Sequence, residues 1–73
     1  MINQKISELF MDIARLLEIK GENIFRIRAY ERAAENIIEL NEDLEKYIQE
    51  DRLKEIAGIG EDLARKIKEY AAT

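Results

Sequence analysis

An all-α fold is predicted, a compact bundle of four main helices plus a short helix that opens a hairpin. Two observations carry this prediction. Apolar residues recur at three- and four-residue spacing through each long segment, the period of a helix buried on one side. The breaks between segments hold Gly, Asn or Asp, residue types that end one helix or cap the next. Seventy-three residues fit a single domain, 1–73, near the lower size limit for a core that stands unaided.

The first helix is predicted over Ile2 to Glu18, with Asn3 as a cap. Ile6, Leu9, Phe10, Ile13 and Leu17 form one apolar stripe, which Leu16 widens. Lys20-Gly21-Glu22-Asn23 is a turn in which Gly21 takes the left-handed position and Asn23 caps the second helix, Ile24 to Leu40. Ile27, Tyr30, Ala34, Ile37 and Ile38 make that helix's buried side. Asn41 is expected to cap a short third helix from Glu42 to Gln49, with Leu44, Tyr47 and Ile48 inward and acids in its first turn. Asp51 is expected to cap the short helix that opens the hairpin, and Glu61 to Ala72 is the last helix. The abrupt ending is expected of a piece of a longer protein.

The chain lacks proline, cysteine and histidine, so no disulfide supports it and a zinc site is not expected. No apolar run approaches membrane-spanning length. The amino terminus is amphipathic and carries Glu8 and Asp12, unlike a signal peptide. A cytoplasmic protein with no membrane association is expected. A net charge of −4 argues against a protein that coats DNA non-specifically. The charge is uneven, however. Lys20, Arg26, Arg28 and Arg32 crowd a stretch holding only Glu22 and Glu31, whereas Asn41 to Glu55 carries six acids against three bases. A small, directed phosphate site is compatible with that distribution.

The stretch LKEIAGIGEDLARKI, Leu53 to Ile67, organises the rest. Gly58-Ile59-Gly60 can reverse the chain in little space, because glycine reaches positive φ without steric cost. Leu53 and Ile56 before the turn, and Leu63, Ala64 and Ile67 after it, present apolar faces between which Ile59 can plug the gap. Beyond Gly60, the first N–H groups of the last helix offer an anion site at the positive end of its dipole. The pattern resembles a helix-hairpin-helix motif, a reader of nucleic-acid backbone phosphate. A plain αα-hairpin with a glycine turn is the alternative. Arg26 and Tyr30, four residues apart, share a helix face and can converge on one phosphate. Tyr30 by itself is an ordinary core aromatic. Arg28 and Arg32 share another face and read as solvated, with Glu31 and Glu35 nearby.

Two segments, IKGENIFRIRAYERAAENI at Ile19 to Ile37 and LKEIAGIGEDLARKIKEY at Leu53 to Tyr70, resemble the amino-terminal domain of X-family DNA polymerases, the family of DNA polymerase beta. The resemblance runs from about Lys5 to Tyr70. It implies a four-helix array with one helix-hairpin-helix that binds the 5′-phosphate on the downstream side of gapped DNA, in repair synthesis. It also implies a polymerase catalytic domain on the same native chain. By resemblance Arg26, Tyr30 and Lys54 fall at phosphate-binding positions. Lys66 falls at the lysine with which some members remove 5′-deoxyribose phosphate through a Schiff base. The family's hairpin can hold a monovalent cation, K or Na, which here would meet the backbone carbonyls of Lys54, Ile56 and Ile59. No other cofactor is expected.

Three positions depart from the polymerase beta branch. Asp62 stands where that branch has a phosphate-binding lysine, Phe25 where it has a histidine, and Glu61 adds an acid at the helix start. Two carboxylates beside an anion site should cost DNA binding about 1–2 kcal/mol, surface charge pairs being individually weak. A Schiff base needs a neutral amine, while Asp62 and Glu69 lie within a helical turn of Lys66 and favour its ammonium form. Two-metal nucleotidyl transfer needs clustered carboxylates, and the acids here lie singly or in pairs.

Three functions follow as expectations. The first is a DNA-binding module using Arg26, Tyr30, Lys54, Lys66, Lys68 and the N–H groups from Gly58 to Gly60 onward. The second is the same module with weak lyase activity on Lys66. The third is a helical protein-interaction domain without DNA contact. In each case a monomer with Ile59 buried is expected.

Overall fold

The computed structural model describes residues 1–72. Helix α1 spans Asn3–Ile19, α2 Ile24–Ile38, α3 Leu44–Gln49 and α4 Glu61–Ala72. A 3-10 turn at Leu53–Glu55 precedes the hairpin. The all-α class is therefore as expected, and the described residues contain no strand. The hairpin's first arm is this single turn of three residues. Among the described residues, no helix is long and apolar enough to cross a membrane.

The core lies between α1 and α2 and is closed by the 3-10 turn and α4. Ile6, Phe10 and Ala14 of α1 meet Ile27, Tyr30, Ala33, Ala34 and Ile37 of α2, and Leu44, Leu53, Ile56, Ile59, Ala64 and Ile67 complete the cluster. Phe10 and Tyr30 meet edge to face, with ring centroids 5.3 Å apart and planes at 82°. The stripe on α1 is narrower than its periodicity suggests. Leu16 is exposed, and so is Ile38 on α2, whereas Ala33 is fully buried. Small residues decide this packing: with Ala33 and Ala34 facing α1, Ser7 Oγ donates to the Ala34 carbonyl at 2.8 Å.

Asn3 does not cap α1. That helix starts from Ile2, with no side-chain cap. Asn3 is 3 % exposed, and its Nδ2 donates to the Glu42 carbonyl at 2.9 Å while its Oδ1 accepts from Leu44 N at 2.8 Å. It thus ties the start of α3 to the start of α1. The cap of α3 is Asp43, not Asn41, accepting from Glu45 N at 3.0 Å. The helix accordingly begins at Leu44. In the first connection, the expected roles hold. Gly21 sits at φ 73 and Asn23 accepts from Phe25 N. The N–H groups of Gly21 and Glu22 return to the Glu18 and Leu17 carbonyls, a left-handed helix stop.

Asp51 forms the same kind of stop on α3. It sits at φ 54, and Asp51 N and Arg52 N return to the Ile48 and Tyr47 carbonyls. It therefore does not cap the following turn, whose preceding residue is Arg52. Asp tolerates the left-handed region better than most side chains, which is why a polar residue stands where glycine is usual. Arg52 lies over the Tyr47 ring at 5.0 Å and pairs with Glu50 and Glu55 at 2.8 and 3.0 Å. Those hydrogen bonds, Glu50 first and then Glu55, raise its pKa further. At the start of α3, the hydrogen bond and charge of Lys46 hold the Glu42 carboxyl below the usual range.

Replacing Asn3 by Ala should leave the Leu44 N–H and the Glu42 carbonyl without their partner. A loss of about 2–3 kcal/mol is expected, read as a lower urea midpoint at unchanged slope. A midpoint within experimental error of wild type would show that this tie adds nothing.

Candidate nucleic-acid interface

The hairpin turn is fixed from three sides. Gly58 sits at φ +82, where an added Cβ would come 3.1 Å from Asn36 Nδ2 and 3.4 Å from Arg32 Cγ. Asn36, reaching from α2, donates through Nδ2 to the Ala57 carbonyl at 2.7 Å. Ile59 N returns to the Ile56 carbonyl at 3.0 Å, and the Ile59 side chain is buried, 4 % exposed, as expected. The second glycine differs from the first. Gly60 has no positive φ, and a Cβ there would meet nothing within 4 Å. Its carbonyl accepts from Ala64 N at 2.9 Å, so it stands at the head of α4 and leaves that end open.

This geometry leaves between α2 and α4 a cleft of about 350 Å³ lined by Arg26, Tyr30, Asp62, Leu63, Arg65 and Lys66. Two distant segments are thereby brought together. Arg26 and Tyr30 come from α2, and Lys66 from α4. Tyr30, only 4 % exposed, is first a core aromatic and offers the cleft no more than its edge. Arg26 is exposed and makes a loose pair with Glu22 at 3.8 Å. Lys66 is half-buried. The cleft thus holds the cations Arg26, Arg65 and Lys66 against one carboxylate, Asp62.

Lys54 and Lys68, predicted for the same phosphate site, lie elsewhere. They line a second cleft of about 340 Å³ with Asp51, Glu61, Ala64 and Arg65. There Lys68 Nζ pairs with Asp51 Oδ1 at 3.3 Å. The second cleft is nearly balanced in charge, which weakens it as an anion site. Asp62 also behaves differently from its spacing to Lys66. It accepts from Arg65, three residues on, at 3.1 Å. Arg65 borders both clefts.

A third concavity, about 390 Å³, was not foreseen. Phe25, Arg28, Ala29, Arg32 and Gly58 line it, and no carboxylate does. Arg28 and Arg32 are exposed, as expected of a solvated face, and they also line a groove between α2 and the turn, with Phe25 76 % exposed at its edge. The available signal was the four-residue spacing of Arg28, Arg32 and Asn36, which places all three on the face that carries the hairpin. Among the described residues, no group of three or more acids, His or Cys gathers to hold a metal ion.

A helical core whose terminal hairpin turns on a Gly-x-Gly with its middle residue buried defines the helix-hairpin-helix class of small domains. The chain belongs to the helix-hairpin-helix domain family, whose model matches residues 1–73. A comparison with curated proteins finds no match.

The two glycines should respond differently to substitution. Gly58→Ala forces a side chain into the left-handed region and against Asn36, and should cost about 1–3 kcal/mol. Gly60→Ala should cost under about 1 kcal/mol. Thermal unfolding of the two variants checks the contrast, and equal losses would show that the turn does not depend on Gly58.

Proposed function

We propose that this domain binds DNA through backbone phosphate in the cleft between α2 and α4. In this reading it is the amino-terminal module of an X-family polymerase, and its ligand is the 5′-phosphate of gapped DNA. The observation that carries the reading is the convergence of Arg26 and Lys66, from separate segments, on one cationic cleft beside the hairpin. A helix-hairpin-helix family membership supports the DNA part. The X-family part rests on the sequence resemblance of Ile19 to Ile37 and Leu53 to Tyr70. The clefts split the cations into small groups, so only a few phosphates are neutralised at once. Contacts of this kind position the backbone and carry little sequence preference.

The hairpin carbonyls of Lys54, Ile56 and Ile59 are neutral, hard oxygen donors within one short loop, and such a set suits K or Na. The Ile56 carbonyl already accepts from Ile59 N and keeps a second lone pair for a cation. Held there, the ion would supply a positive charge toward a DNA phosphate.

Titration with gapped duplex, with and without a 5′-phosphate, tests the main reading. Binding should be tighter with the phosphate, by a monomeric protein, with a shallow salt slope of about −2 to −4. Arg26→Ala should weaken binding about 3–10-fold at low salt. Unchanged binding in that variant would remove the cleft from the site. No binding by wild type even at low salt would leave the third reading, a helical protein-interaction module.

A second reading adds lyase chemistry, because the half-buried Lys66 shares the cleft that would hold the sugar phosphate. Lys66 Nζ would add to the C1′ aldehyde of the opened sugar, with loss of water to give an imine. Loss of a C2′ proton then expels the phosphate at C3′, and hydrolysis returns the amine. Borohydride trapping on DNA bearing a 5′-deoxyribose phosphate should give a weak adduct that disappears in Lys66→Ala and grows in Asp62→Lys. An adduct that survives Lys66→Ala would exclude this lysine. Absence of any adduct in Asp62→Lys would leave a binder without lyase activity.

A further inference from the structure

We infer that Arg65 is a direct phosphate ligand of the cleft, held in reserve by Asp62 until DNA arrives; the inference rests on the DNA reading above. Arg65 lies on the ridge between the two clefts and borders both, so a guanidinium there can reach a phosphate on either side of α4. In the unbound domain one of its terminal N–H groups donates to Asp62 Oδ1 at 3.1 Å. That pair is a weak lock. Its members are three residues apart on one helix, and their side chains are 69 % and 90 % exposed. Water and salt screen such a pair, and it contributes little. Exchanging it for a phosphate is favourable on two counts. A guanidinium has five donors in a planar fork that matches phosphate oxygens. Arg26, whose own tie to Glu22 is looser still at 3.8 Å, borders the same cleft from the α2 side. The two guanidinium groups can therefore close on one phosphate from the α2 and α4 sides, with Lys66 lining the same cleft. Asp62 then has two effects on binding. It competes with phosphate for Arg65, and its own charge repels the ligand.

The alternative is that Arg65 only neutralises Asp62. A double-variant cycle on 5′-phosphorylated gapped DNA separates the two. Asp62→Asn should tighten binding about 3–10-fold at low salt. Arg65→Ala should weaken it in wild type and also in the Asp62→Asn background, where the carboxylate that Arg65 pairs with is gone. In that background the salt slope should fall by about one unit for the lost phosphate contact. Arg65→Lys should recover the slope but only part of the affinity, since it keeps the charge and loses the fork. Binding and slope unchanged by Arg65→Ala in the Asp62→Asn background would overturn the inference and leave the DNA reading intact. No binding by any of these proteins would overturn both.

Discussion

The structure depends on one constraint at the hairpin. Ile59 has to be buried while the peptide groups on either side of it stay at the surface. An apolar side chain of that size gains about 1.5–3 kcal/mol from burial, enough to fix the turn if the backbone can follow. It can, because Gly58 takes φ +82 and Ile59 N closes back onto the Ile56 carbonyl. Asn36 then straps the Ala57 carbonyl to α2. With the turn held to α2, the start of α4 is held as well, and Arg26 and Lys66 are neighbours as a consequence. The buried anchor and the exposed cationic cleft are therefore two sides of the same turn.

What could be read in the residues divides along physical lines. Periodic apolar spacing gave the helices, because burial on one face imposes a period that no other structure shares. Gly21 and Asn23 were legible because their roles are local, set by φ and by a two-residue hydrogen bond. Asn3 was not. Its spacing to α1 fits a cap, but its partners, Glu42 and Leu44, are distant in sequence, and only the folded chain brings them near. Asp51 was misread for a related reason. Its side chain suits a cap, while its backbone is used to stop α3 in the left-handed region, where glycine would be the expected signal. The width of an apolar stripe was also hidden. Leu16 and Ile38 keep the period of their helices, yet the close approach at Ala33 and Ala34 leaves them outside the contact.

The candidate site shows the same division. Arg26 and Tyr30 are a local pair on one helix face, and the cleft contains both. That Lys66 joins them while Lys54 and Lys68 do not depends on the rotation of α4 about its axis. Lys66 points to the α2 side, whereas Lys68 and the 3-10 turn bound the other cleft. Net charge could not resolve this either. An acidic chain still presents a groove without a carboxylate at Arg28 and Arg32, while Glu42, Glu50 and Glu55 pair with Lys46 and Arg52 around α3.

The acids at the head of α4 pull the domain in two directions. Glu61 and Asp62 lie in the first turn, where each favours the helix by roughly 0.3–1 kcal/mol through its exposed N–H groups. The same groups are what a phosphate at that end would use. A domain that stabilises its last helix in this way sets two negative charges against any DNA phosphate that approaches that end. Gly60 keeps the approach sterically open, since nothing in the chain fills the space its side chain would take. Steric access and electrostatic opposition at one point give a site that is reachable but weak by itself. On the polymerase reading such a site is adequate, because a tethered catalytic domain already on the DNA raises the effective concentration of phosphate at the cleft to the millimolar range, on the order of 1 mM for a short linker. An isolated reader of DNA would gain the same helix stability from those acids and would meet their repulsion with no second contact to offset it. On the polymerase reading, that second contact is what makes the acids at the head of α4 tolerable.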